Sequence, residues 1–250
     1  MTRSGKTLVA LFACACALAP VFGPASAGDF TDCVTDRLAI ELGFPDRAIH
    51  YCSRALKLGY LTPNDIARVK ATRGAAYQKK KERERATNDF ESALAQQPES
   101  ADILILRGVN FAQGKRWEAA IGSFSRALEL EPTNTIAFYN RGLALLYRRD
   151  YVGAVADFDA AIRGIRAFTA AYYNRGLAHF YAGRPEPAIA DFTEAIRLRP
   201  DFGEAFNNRA HAYEALGDKR RAAADIARAV QLRPDDPNIL AKARDLKRSP

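Results

Sequence analysis

From residue 67 onward, small, large apolar and polar positions return with one fixed period. Gly74, Gly108, Gly142, Gly176 and Ala210 stand 34 residues apart. Twelve residues after each comes an alanine: Ala86, Ala120, Ala154, Ala188, Ala222. Four further on lies a large apolar residue (Phe90, Phe124, Phe158, Phe192, Ile226), and three beyond that a second alanine (Ala93, Ala127, Ala161, Ala195, Ala229). Offsets of 0, +4 and +7 share one face of an α-helix. Proline follows at Pro98, Pro132, Pro200 and Pro234, with Arg166 in the remaining unit. Proline cannot continue a helix, so it ends the second helix of each unit and forces a turn. The pattern therefore predicts five helical hairpins. The Gly/Ala site and the alanines let two helices approach closely, and the phenylalanine fills the space between hairpins. Asn134, Asp201 and Asp236, just before the next helices, are expected N-caps. Self-similarity at this period means an all-α solenoid of stacked units.

Two segments depart from the period. In front, Ala48-Ile49, Ala55-Leu56 and Leu58 repeat the features of a second helix. A first helix is expected over 30–42, without the glycine, and residues 59–64 shift the register by a few positions. At the other end, 237–250 reads as a capping helix, with Pro237 suited to its first turn. A terminal unit needs such a cover for its exposed face.

These residues resemble the tetratricopeptide repeat family. Its run of an aromatic, Leu-Gly, Tyr, Ala-x-x-x-Phe and Pro is met here as Phe138, Arg141-Gly142, Leu145, Ala154 and Phe158. It is met again as Phe206, Arg209-Ala210, Tyr213, Ala222, Ile226 and Pro234. The resemblance implies a right-handed superhelical solenoid with repeats at 67–100, 101–134, 135–168, 169–202 and 203–236, preceded by a degenerate hairpin at 28–66. It also implies a protein-binding role rather than an enzymatic one. Residues 28–62 resemble the short Cys-bearing first unit of exported bacterial members. The main departure is arginine where the family usually has leucine: Arg73, Arg107, Arg141, Arg175 and Arg209.

Sixteen residues after those arginines stand Asp89, Ser123, Asp157, Asp191 and Asp225. An arginine on each first helix and an acid on four of the second helices predict a ladder of salt bridges inside the array. A basic ladder for anions is the rival reading.

In this family the first helices line the concave face. The groove candidates are accordingly Tyr139, Asn140, Leu143 and Tyr147 in one repeat, Tyr173, Asn174, Leu177, Phe180 and Tyr181 in the next, and Asn208 and His211 in the last. Exposed rings next to amides suit an extended peptide, whose side chains meet the rings and whose backbone meets the amides. Packing against neighbouring repeats is the competing use for the same residues. Some family members grip acidic C-termini with a clamp of lysines and asparagines. The corresponding positions here hold Ala71, Ile105, Tyr139 and Glu204, so that mode is not expected.

The first 27 residues add an address. Arg3 and Lys6 precede an apolar run from Leu8 to Ala19, and Ala25-Ser26-Ala27 fits a cleavage site. This is the layout of a signal peptide, with Gly28 as the mature start and a periplasmic or secreted location. An uncleaved membrane anchor and lipid attachment at Cys14 are the weaker readings. Cleavage removes two of 37 basic residues and none of 29 acidic ones, leaving a net charge of +6. That is mild for the length and does not point to nucleic acid. Cys33 and Cys52 remain, one on each arm of the first hairpin. They either close a disulfide, which the compartment favours, or pack as two small buried thiols.

No enzyme signature is present. His50, His179 and His211 form no i, i+4 pair, and there is no glycine-rich phosphate loop or Gly-x-Ser-x-Gly. No cofactor or metal is expected, and the oligomeric state stays open. The expected function is an exported scaffold that binds a protein segment in its groove. The alternative is a binder of an anionic envelope polymer or membrane surface through the basic end, where residues 219–248 carry nine basic and four acidic residues.

Overall fold

The computed structural model describes residues 28–248 except 36–39, 42 and 58, so the expected signal segment lies outside the described residues. Among them there are only helices, turns and loops. The helices are α1 (Gly28–Thr35), α2 (Pro45–Ala55), α3 (Pro63–Lys79), α4 (Arg83–Gln96), α5 (Ala101–Gln113), α6 (Trp117–Leu130) and α7 (Thr135–Tyr147). They continue with α8 (Tyr151–Gly164), α9 (Thr169–Tyr181), α10 (Pro185–Leu198), α11 (Gly203–Ala215), α12 (Lys219–Leu232) and α13 (Pro237–Arg248). The chain divides into two compact units, residues 1–140 and 141–250, with α7 running from one into the other.

The first unit opens with the α1–α2 hairpin. Cys33 and Cys52 are disulfide-bonded across it, with Cα atoms 4.8 Å apart. Phe30, Ala55 and Val69 close around the bond, backed by Val34, Tyr51, Leu56 and Leu61. The register shift before the first regular repeat has a visible cause. The helix α3 is 17 residues long where later first helices have 13, so it carries an extra turn at its start. That turn is fixed by a capping box: the Thr62 hydroxyl accepts from the Asp65 N–H and the Asp65 carboxylate accepts from the Thr62 N–H, each at 3.2 Å.

Within each regular repeat the two helices close on one contact. A Cβ placed on Gly74 would lie 2.8 Å from the Phe90 ring, and one on Gly108 2.5 Å from Phe124. In the second unit the same holds for Gly142 with Phe158, at 2.9 Å, and Gly176 with Phe192, at 2.8 Å. No side chain larger than hydrogen fits there while the phenylalanine keeps its place. The last repeat has Ala210 opposite Ile226: one methyl added, one ring replaced by a smaller side chain.

The turn inside each repeat is equally regular. The N–H groups of Glu82, Arg116, Asp150, Arg184 and Asp218 reach back five residues to the carbonyls of Tyr77, Phe111, Leu145, His179 and Tyr213, each at 2.9 Å. This is the bond that closes a Schellman turn, and it requires a left-handed residue just before. That residue is Gly183 or Gly217 in the last two repeats, but Lys81, Lys115 and Arg149 in the first three, with φ of 65°, 60° and 67°.

Of the expected N-caps, Asn134 accepts from the Ala137 N–H at 2.9 Å and Asp236 from Asn238 at 3.0 Å. Asp201 does not cap: the residue at the start of α11 is Phe202, with no side-chain hydrogen bond. Ser100, Asp150 and Asp218 cap their helices instead.

Candidate functional site

The arginine column is an internal ladder. Arg73 grips Asp89 with Nε and Nη2, both at 2.8 Å. Arg141 grips Asp157 at 2.7 and 2.8 Å, Arg175 grips Asp191 at 2.9 and 2.5 Å, and Arg209 grips Asp225 at 2.7 and 2.8 Å. The four carboxylates are buried. The guanidinium of Arg141 is held above its usual pKa first by the Asp157 hydrogen bond, which outweighs burial. Arg175 also reaches Asp159 on α8, and Arg209 reaches Thr193 on α10, so these arginines tie one hairpin to the one before. The second repeat breaks the ladder. Arg107 meets the Ser123 hydroxyl, at 3.2 Å, in place of a carboxylate, and burial pushes its pKa down. The arginines are therefore occupied by structure and are not a row of free anion sites.

The groove candidates divide by burial. Tyr139 and Asn140, at the end of the first unit, are buried, and Asn140 turns its Nδ2 back to the Ile136 carbonyl at 3.0 Å. In the second unit Leu143 and Tyr173 are buried as well. Tyr173 is covered by Phe202, the residue before α11, with ring centres 4.7 Å apart, and meets Phe192 at 5.9 Å. Burial is the first cause of its raised pKa. These four were expected to open on a groove and are buried instead, Tyr173 beneath Phe202. The amides are also engaged. Asn174 donates to the Ala170 carbonyl at 2.8 Å, and Asn208 donates to the Tyr173 hydroxyl at 2.7 Å.

What stays open is the ring set at the ends of α7 and α9. Tyr147 and Tyr181, 34 residues apart, are 42% and 57% exposed. The Tyr181 ring lies 6.0 Å from Tyr151 and 5.9 Å from half-buried Phe180. Partial burial, then the neighbouring Tyr181, raises the Tyr147 pKa. Leu177 is half-buried against the Tyr173 cluster. His211 stands on α11 beside Glu214 (3.6 Å), which also pairs with Lys242 of α13. Burial first, and Lys242 next, lower its pKa, so it is neutral at physiological pH. Tyr151 was not among the candidates; it opens a second helix, and only the turn geometry brings it to Tyr181.

Part of the basic end is paired with acids. Arg221 pairs with Asp218 at 2.5 Å, Arg233 with Glu204 and Asp236, and Lys242 with Glu214. Among the described residues no group of three or more His, Cys, Asp or Glu is placed to hold a metal ion, and no helix is long and apolar enough to cross a membrane.

Three family models, each described as tetratricopeptide repeat, match the chain. One covers 169–202, one covers 72–135 and 116–170, and one covers 203–236. No curated protein matches. Solved structures share the fold at low identity. MamA from Desulfovibrio magneticus RS-1 is 20% identical with a TM-score of 0.67, covering 70% of this chain and 99% of that one. YrrB, described as a TPR protein with an unusual peptide-binding site, is 19% identical with a TM-score of 0.66, covering 77% and 97%. The pilF protein of Pseudomonas aeruginosa is 18% identical with a TM-score of 0.72, covering 89% and 98%.

Proposed function

This chain belongs to the tetratricopeptide repeat family, and from that premise we propose that it is an exported scaffold that binds a protein segment against the open rings of its second unit. The observation that carries the reading is the pair Tyr147 and Tyr181. They hold the same position in consecutive repeats and stay open, while neighbouring candidate rings are packed away. A tyrosine ring offers a large flat apolar contact, a hydroxyl, and little entropy to lose on binding. Asn174, Leu177, Phe180, Asn208 and His211 form the surround; Leu143 and Tyr173 support it from inside. The peptide-binding site named for YrrB agrees with this use of the fold. A binding role needs no catalytic group. Export is supported by the leader-like first 27 residues and by the Cys33–Cys52 bond, which persists in oxidising compartments. The basic end is the weaker candidate for the protein-binding surface: Arg221, Arg233 and Lys242 are already paired with acids, and among its described residues it presents no pair of open rings like Tyr147 and Tyr181.

The test uses the protein as bait in an envelope fraction, with captured proteins identified by mass spectrometry. Tyr181→Ala and Tyr147→Ala are each expected to lower capture of the partner about tenfold, the effect of losing one central aromatic anchor, with little change in melting temperature. A large fall in melting temperature without loss of capture would place these rings in the core and end the proposal.

A further inference from the structure

The second unit carries its exposed apolar side chains unevenly. Among its described residues the large ones are Tyr147, Val152, Ile165, Tyr181 and Leu216. In stacked hairpins the first helices run parallel, so the turns within repeats share one edge and the connections between repeats share the other. Four of the five lie at the within-repeat turns, and only Ile165 lies at a connection. Val152, at 83%, and Leu216, at 43%, project from positions where a polar residue would serve the turn equally well.

The same edge is basic. Arg148, Arg149, Arg184, Lys219, Arg220 and Arg221 lie at these turns. Two of the acids there are already engaged. Asp150 caps α8 through the Gly153 N–H and pairs with Arg148, and Asp218 caps α12 through the Arg221 N–H and pairs with Arg221. Glu186 is the exposed acid beside them. Arg149 sits in the left-handed conformation that Gly183 and Gly217 occupy in the following repeats. The turn thus keeps an exposed cation where glycine is the unstrained choice.

We propose that this edge docks on an anionic phospholipid bilayer, with Arg149 and Arg184 at the headgroup phosphates and Val152 and Leu216 inserted beside them. Tyr147 and Tyr181 border the patch, at the depth where amphipathic rings settle. Positive charge favours an anionic surface, and single apolar tips on convex turns suit an interface that deforms around them.

The experiment is co-sedimentation of the full chain with vesicles of mixed phosphatidylglycerol and phosphatidylcholine, against phosphatidylcholine alone. Binding is expected only with the anionic vesicles and is expected to weaken with salt. Arg149→Gln with Arg184→Gln is expected to lower the bound fraction about tenfold. Val152→Ser with Leu216→Ser is expected to lower it about threefold. Ile165→Ser, an exposed apolar residue on the other edge, is the control and should change nothing. Circular dichroism melts confirm that each variant is folded. Equal binding to both vesicle types, or parent-like binding by both double variants, overturns the proposal, as does a loss with Ile165→Ser equal to that of Val152→Ser with Leu216→Ser. Loss with the arginine pair but none with the apolar pair would show that Val152 and Leu216 do not insert, and also overturns it. None of the substituted residues belongs to the protein-binding set, so failure here leaves that reading standing.

Discussion

The α1–α2 hairpin and the regular repeats close the same kind of helix pair by different means. In a regular repeat the second helix reads Ala, Phe, Ala at 0, +4 and +7, and the phenylalanine lies flat on a glycine of the first helix. In the first hairpin the corresponding residues are Ala48, Cys52 and Ala55, all buried, so Cys52 stands where the phenylalanine would. Its partner across the hairpin is Cys33, and the contact is a covalent bond. The difference follows from what surrounds each unit. A central repeat is buttressed on both sides, and ring-on-glycine packing suffices. The short α1, with eight residues, has little surface to bury and sits at an end of the array. A cross-link limits the freedom of the unfolded chain and needs no neighbour to do so.

The packing side of this comparison breaks most readily at Gly108, whose added Cβ would come closest to its ring. Gly108→Val is expected to cost about 3 kcal/mol or more, from overpacking against Phe124. The last repeat shows the remedy, because Ala210 faces Ile226 there. Gly108→Ala and Phe124→Ile should each destabilise, and the double variant should be more stable than the sum of the two predicts. Additive denaturation free energies would show that the two positions are not one contact.

The covalent side is tested by Cys52→Ala. The bond joins residues 19 apart in sequence, and its loss is expected to cost roughly 3 kcal/mol in the chain-entropy account. The loss should be local. Hydrogen exchange should rise in α1 and α2 while α5 and α6 keep their protection. A uniform rise through the first unit would mean that the hairpin supports the whole unit rather than only itself. Two free thiols in the non-reduced protein would remove the covalent side of the comparison altogether.

Much of this was legible in the sequence, and the failures have separate physical causes. Periodicity gave the repeats, the close glycine contacts and the Arg–Asp ladder, because each is a relation between two helices at a fixed offset; the cysteine pair came instead from the expected compartment and from one cysteine standing on each arm of the first hairpin. Periodicity did not give burial at Tyr173 or Tyr139. A period assigns a residue to a face of its own helix; whether that face is covered depends on a third element, here Phe202 over Tyr173. The asparagine column is engaged for a local reason that a period does not show. Asn140 and Asn174 bond back to carbonyls four residues earlier, an option open to short amides on any helix. Asp201 missed its cap because it stands one residue after its proline, whereas Ser100, Asn134 and Asp236 stand two after theirs; that position in this repeat is Phe202. The role of Cys52 as the phenylalanine equivalent was readable from the Ala48 and Ala55 spacing, but only by setting the degenerate hairpin against the regular ones.

The second repeat sharpens the contrast within the regular units themselves. Arg107 faces Ser123, where the other four arginines face aspartate. Ser123→Asp is expected to stabilise by about 1 kcal/mol through a two-pronged ion pair, less the cost of burying the carboxylate. The converse, Asp157→Ser, should destabilise by about 1–2 kcal/mol, since Arg141 then keeps its partial burial without its partner. Chemical denaturation of both variants checks the pair. A destabilising Ser123→Asp would show that the serine bond to the Ala119 carbonyl, at 2.9 Å, matters more to this repeat than the missing charge.

The smallest expected effect lies in the turns, where the regular repeats differ among themselves as the first hairpin differs from them all. Arg149 holds a φ of 67° in a Schellman turn whose later copies use Gly183 and Gly217. A Cβ in the left-handed region crowds the backbone, at about 1 kcal/mol for a non-glycine residue. Glycine at that position relieves the crowding but adds freedom to the unfolded chain, which recovers part of the gain for the denatured state. Arg149→Gly is therefore expected to stabilise by about 0.5 kcal/mol net, and Gly183→Ala to destabilise by about 1 kcal/mol. Open space surrounds Gly183, with nothing within 4 Å of an added Cβ, so any loss there reports backbone conformation and not a clash. The two substitutions form a matched pair on one turn type, read by the same denaturation midpoint. If Arg149→Gly destabilises instead, the arginine side chain contributes something to the folded state that outweighs its strain, and the turn keeps arginine for stability. If it stabilises as expected, the arginine is there at a cost to folding, as a residue kept for contact with another molecule would be.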